Sequence, residues 1–275
     1  MEQPLAIPAL SREDLLELRR ARGLLEGESL AARVAEVLGQ PIERGLAMLP
    51  PKAHARLQEA TRRALHRALR AALSTLAAER RVPSADRFHR LAAATSGAVG
   101  GFFGLGGLAV ELPVTTVLMF RSIADIARSE GHDVSTPETQ LACLEVFALG
   151  GPAKADDPAE TAYYAVRAAL AGALADAASH IARRGLASEG APALVRAVAA
   201  IASRFGILVE QKVALGAIPV VGAVTASLVN AAFTGHFQRR ARGHFIVRRL
   251  EGVHGLATVR RAWESLGPIA ADPAR

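Results

Sequence analysis

One carboxylate stands alone in a long uncharged run. Between Arg90 and Arg121 the only charged residue is Glu111. A carboxylate in an apolar site has a raised pKa and can serve as a functional acid or base. It can also serve as a structural lock. Pro113 follows two residues later and reads as the start of a new helical segment, whose free N–H groups Glu111 would accept. Arg121, Lys212 and Asn230 are the candidate partners across the fold, and the lock is the preferred reading. Asn230, set among Ala, Val and Phe, reads as a buried hydrogen-bonding group that fixes register.

Other chemistry finds little support. Gly104-Leu105-Gly106-Gly107-Leu108-Ala109 fits the dinucleotide pattern G-x-G-x-x-A, but that motif needs a preceding strand and a βαβ unit. The residues before it are Ala-rich and helical in pattern. There is no phosphate loop ending in Gly-Lys-Ser/Thr, no H-E-x-x-H and no G-x-S-x-G. The eight histidines are dispersed. His236 and His244 could share a helix face but stand too far apart for one metal. Cys143, the only cysteine, reads as a small core residue. The sequence therefore assigns no catalytic, cofactor-binding or metal-binding residue, and expects no cofactor and no metal. It leans away from an enzyme.

The elements that must position these residues are helices. Hydrophobic residues make up 51% of the chain and aromatics only 4%, so the apolar mass is Ala, Leu and Val. Caps recur along the sequence. Ser11 with Asp14 forms a capping box, Ser29 opens a helix that stops at Gly39 before Pro41, and an amphipathic helix follows from about Lys52 to Arg80. Ser84 after Pro83 opens another. Thr136-Pro137-Glu138 and Asp157-Pro158 with Glu160 are further starts, Arg183-Arg184-Gly185 is a stop, and a final helix ends near Gly267-Pro268. Residues 150–158 are the best candidate internal linker. No alternating strand pattern appears.

Two uncharged segments, roughly 91–120 and 213–238, organise the rest. Each exceeds the roughly 20 residues that span a bilayer. Glycines, prolines and Glu111 argue against simple spans. A mid-segment acid costs roughly 2.5–3.5 kcal/mol on insertion. The spacings Gly97 to Gly101 and Gly100 to Gly104 instead suit close helix packing. The expected fold is all-α: a single multi-helix bundle around two central Gly/Pro-interrupted apolar helical segments.

The net charge is +7, and thirty of the 33 basic residues are arginine. Arg239, Arg240, Arg242, Arg248 and Arg249 follow the second segment and form a candidate membrane-facing basic cluster. An ordinary solvated helix face is the competing reading. Nucleic acid is not expected, because no recognition motif accompanies the basic runs. The single cysteine and the lack of a secretory pattern in Met1 to Leu10 suggest a cytoplasmic protein.

The same segments resemble the EcsC protein family. The first carries a glycine-rich stretch that includes Gly101, Gly104 and Gly107, then Glu111-Leu112-Pro113 and Thr115-Thr116. Glu130-Gly131-His132-Asp133 sits where the family tends to have a Tyr-Gly-Tyr-Asp-like turn; it keeps Asp133 and departs at both aromatic positions. The second carries Lys212, Pro219, Gly222, Asn230 and Phe233. The resemblance covers roughly residues 60–250 and implies an all-α bacterial protein. The founding member is encoded beside an ABC transporter, and no particular reaction is implied.

The expected organisation is residues 1–50 as N-terminal helices packing on the core, 51–268 as the EcsC-like helical domain and 269–275 as a loose tail. The expected function is non-enzymatic, peripheral association with the cytoplasmic membrane, through an anionic surface or as an accessory to a membrane complex. The alternative is a soluble helical enzyme, or a small-molecule or lipid binder, with a pocket near Glu111.

Overall fold

The computed structural model describes residues 10–27, 29–30, 32, 53–75, 104–149, 159–184, 191–216 and 223–266. Among these, every regular element is an α-helix. In chain order they are α1 (Arg12–Glu26), α2 (Ala53–Thr75), α3 (Gly104–Ser129), α4 (Pro137–Leu149), α5 (Ala159–Arg184), α6 (Pro192–Gly216), α7 (Ala223–His254) and α8 (Leu256–Ser265). The all-α bundle expected from composition is the fold.

The start signals act as the sequence predicts. Ser11 Oγ accepts from the Asp14 N–H at 3.1 Å, and Asp14 Oδ2 accepts from the Ser11 N–H at 3.3 Å, which satisfies two donors at the mouth of α1. Thr136 Oγ1 accepts from the Thr139 N–H at 3.3 Å and opens α4. Ser29 Oγ accepts from the Ala32 N–H at 3.1 Å. Several sequence features lie outside the described residues: Gly97, Gly100 and Gly101, Pro83-Ser84, the 150–158 linker, Pro219, Gly222 and the 269–275 tail.

The most enclosed described helix is α4. Every residue from Thr139 to Leu149 is buried, because α2, α3, α5, α6 and α7 all pack against it. A helix that is apolar on all sides can only be stable when surrounded in this way. Its buried stretch carries one charge, Glu145.

The 32-residue α7 is the long spine. It packs against α3, α4 and α6, and α1 runs antiparallel along it. That direction follows from the pairs Glu17 with Arg249 and Leu24 with Arg240. The two helices meet closely at Gly243, where a Cβ would lie 2.7 Å from Leu25 Cγ and 2.8 Å from the Ala21 carbonyl oxygen. Gly255, at φ +81°, turns the chain from α7 into α8. Buried Arg22 fastens α8 in place, donating to the carbonyls of Trp263 (3.1 Å) and Leu266 (3.0 Å).

One expectation is corrected. Pro113 does not start a helical segment; it lies inside α3, which continues from Gly104 to Ser129. An interior proline costs about 3 kcal/mol. Burial of Leu112, Thr115, Thr116, Met119 and Phe120 around it outweighs that cost.

Candidate functional site

α3, α6 and α7 converge on Glu111. Its Oε1 accepts from Lys212 Nζ at 2.6 Å and from Asn230 Nδ2 at 3.2 Å, with Thr115 Oγ1 one turn along at 3.5 Å. The Lys212 and Glu111 side chains are only 7% and 11% exposed. Lys212 Nζ also stands 5.3 Å from the centre of the Phe233 ring, so the cation is held on a second side. A carboxylate with this many donors is an internal tie between three helices. It is not placed as an N-terminal cap, since Pro113 opens no helix.

Arg121 takes no part in this node. It is exposed, ten residues further along α3. Ten residues of helix is about 15 Å and nearly three turns, which carries the side chain to another face.

The remaining family-like positions are structural where they are described. Phe233 is buried and packs on Phe237 (5.1 Å) and Phe205 (6.1 Å). Gly104 and Gly107 lie in the first turns of α3. Asp133 is exposed and accepts from the N–H and hydroxyl of Ser135, which hold its carboxyl below the usual range. Within the same turn, Gly131 has φ +89°. His132, which replaces an aromatic residue of the family pattern, has Nε2 3.0 Å from the Phe245 carbonyl oxygen, and its ring packs tilted against the Phe245 ring at 5.0 Å.

The arginines after the second segment do not share one outward face. Arg240 is buried and donates to the carbonyls of Leu24 and Gly27, and burial beside Arg239 pulls its pKa down to about 10. Arg242 pairs with Glu130 at 3.6 Å. Arg249 pairs with Glu17 at 2.6 Å and reaches Glu130 at 3.9 Å. Arg248 is half-buried. α1 and the α3–α4 turn lie against this stretch of α7, and Arg240, Arg242 and Arg249 make contacts within the protein.

A second polar centre, absent from the sequence reading, lies where α4, α5 and α7 meet. Glu251 accepts two bonds from Arg167, at 2.6 and 2.8 Å, and one from the Tyr164 hydroxyl at 3.2 Å. Arg167 Nη1 also donates to the Tyr163 hydroxyl oxygen at 3.4 Å. That hydroxyl is 3.0 Å from His244 Nδ1, and His244 Nε2 faces Glu145 Oε2 at 3.5 Å. Burial pushes the Glu145 carboxyl up to about 7 and the His244 imidazole well below its ordinary value. Burial likewise raises both tyrosines. The signal was present in the sequence: Tyr163 and Tyr164 are the only tyrosines, and Glu145 is the one charge in the run from Thr139 to Leu149.

A hollow of about 380 Å³ between α5 and α6, lined by His180, Arg183, Arg184 and Pro192, includes none of the candidate residues. Cys143 is fully buried and its thiol pKa is pushed up by that burial, so it is not a nucleophile.

Residues 13–250 match the family model described as the EcsC protein family, and the chain belongs to that family. The matched span takes in α1, which the motifs alone had left outside. No curated protein and no solved structure matches the chain.

Proposed function

We propose that this EcsC-family chain is a non-enzymatic protein that binds reversibly to the cytoplasmic membrane, as an accessory to a membrane complex. The observation that carries this reading is the placement of exposed apolar side chains around the Glu111 node. Val114 on α3, Ile207 on α6 and Leu228 on α7 are 48%, 42% and 49% exposed. Each lies within five residues of a member of the node. The node thus ties together three helices, each of which carries one of these exposed apolar side chains near it in the chain.

Two further facts support peripheral contact over spanning. The stretch Pro192–Ala214 of α6 is long and apolar enough to cross a membrane, yet half of its most apolar window is buried inside the protein. Arg240, Arg242 and Arg249 of α7 are engaged with backbone carbonyls, Glu130 and Glu17, which shifts attachment toward the exposed apolar side chains and the general positive charge. Inserting the exposed half of a Val or Leu contributes about 1 kcal/mol per residue. A few such residues give reversible attachment rather than permanent insertion.

A ligand pocket at Glu111 has less support, because the carboxylate already receives the Lys212 ammonium and the Asn230 amide. The test is co-sedimentation of the purified protein with vesicles containing phosphatidylglycerol. Recovery with the vesicles is expected; retention in the supernatant at low salt would sink the proposal.

A further inference from the structure

The centre between α4, α5 and α7 is independent of the membrane reading. Its hydrogen-bond directions can be worked out from its fixed donors. Arg167 can only donate, so the Tyr163 oxygen is an acceptor toward it. The Tyr163 proton is then free to point at His244 Nδ1. A neutral imidazole that accepts at Nδ1 carries its own proton on Nε2. That N–H faces the Glu145 carboxyl without forming a hydrogen bond to it, and Nε2 has no other partner among the described residues. Glu145 and His244 are both enclosed by packed helices.

One proton must be placed in this cluster, and its surroundings decide where. Arg167 from α5 and Arg248 from the next turn of α7 oppose a positive charge on His244, as does His132 from the α3–α4 turn. Glu251 is committed to Arg167 and disfavours a second carboxylate nearby. Arg128 on α3 is paired with Asp125, and Arg204 on α6 donates to the Ala148 carbonyl. The arginines of α2 (Arg56, Arg62, Arg63, Arg67 and Arg70) are exposed, and Arg260 on α8 lies over the Tyr164 ring. Among the described residues no lysine or arginine is bonded to Glu145; Arg167 and Arg248 favour its ionised form only from a distance, and burial outweighs them.

We propose that Glu145 is a pH-sensitive device in the core: it holds a proton while α4 is packed between α5 and α7, and losing that proton to solvent weakens the fold around α4. The sign follows from a carboxyl whose folded pKa, about 7, stands above its ordinary value of 4.5. The stabilising contribution is complete below about pH 4.5 and is lost as the pH rises through about 7.

The experiment is urea denaturation of the full chain and of Glu145→Gln at pH 5, 6, 7 and 8. Glutamine keeps the shape of the protonated acid and cannot ionise. The ratio of wild-type to variant unfolding constants should rise about 70-fold between pH 5 and pH 8. A ratio that stays flat overturns the proposal. Should Glu145→Gln fail to fold, carbon-13 spectra of glutamate carboxyls give the answer without it. They are recorded in Glu130→Gln, because burial also raises Glu130. One carboxyl titrating near pH 7 is expected. A set in which every glutamate titrates below about pH 5.5, within a unit of the ordinary value, overturns the proposal.

Discussion

Replacing Lys212 with Met removes the cation from the Glu111 node and leaves a nearly buried carboxylate behind. Glu111 would then keep only the Asn230 amide at 3.2 Å and the long Thr115 contact at 3.5 Å. Breaking a buried pair from one side costs about 3–5 kcal/mol, and this variant should fall in the upper part of that range. The reverse change, Glu111→Leu, leaves the ammonium over the Phe233 ring at 5.3 Å, which offsets part of the loss. It should cost about 3 kcal/mol. The double variant places two apolar side chains face to face and takes one acceptor away from the Asn230 amide, so it should cost about 1 kcal/mol. The two single costs, about 4–5 and about 3 kcal/mol, less the cost of about 1 kcal/mol for the double variant give a coupling energy of about 6 kcal/mol. Urea denaturation of the four proteins measures it, with an unchanged m-value confirming the same transition. The exposed pair Arg196–Asp176, with side chains 63% and 61% exposed, is the control and should show coupling below about 0.5 kcal/mol. A Glu111–Lys212 coupling under about 1 kcal/mol, the value for a surface pair, would refute the lock.

Other outcomes follow from particular contacts. Arg22→Met removes one partner of Glu26 and a donor to the Trp263 and Leu266 carbonyls, and should cost about 3–5 kcal/mol. Because Trp263 is the only tryptophan and is fully buried, its emission should shift to the red as α8 loosens. Gly243→Ala would push a methyl into Leu25 and the Ala21 carbonyl, so a loss of about 1–3 kcal/mol in chemical denaturation is expected despite the better helix propensity. Gly252→Ala meets nothing within 4 Å in the same helix and should gain about 0.5–1 kcal/mol in the same assay.

Local features were legible in the sequence because their chemistry is local. A serine three residues before an aspartate satisfies helix donors wherever the helix then packs, so Ser11 and Thr136 read correctly. The tie from Glu111 to Lys212 and Asn230 was legible for a different reason: isolated polar groups in apolar segments must find one another. Arg121 was a poor candidate because helical periodicity turns it away from Glu111, which spacing alone could have shown. Pro113 misled because local propensity favours a break, whereas the packing of α3 against α2 and α7 holds the helix together through it. The arginines of α7 were read as a flank to an apolar segment. Their true surroundings depend on α1 lying along α7, a contact that pairs residues more than 200 positions apart. The centre at Glu145, His244 and Tyr163 joins three helices in the same way, and no spacing in the chain encodes it.

The proposed membrane contact is tested most directly by a reporter at Leu228. Cys143 is buried and its thiol is held in the neutral form, so a cysteine introduced at Leu228 can be labelled selectively with an environment-sensitive fluorophore. The control is the same label at Val253, which is 72% exposed and lies about 37 Å further along α7. Phosphatidylglycerol vesicles should shift the Leu228 emission to the blue and leave Val253 unchanged. No shift at Leu228, or equal shifts at both positions, would contradict docking through the apolar edges beside Glu111.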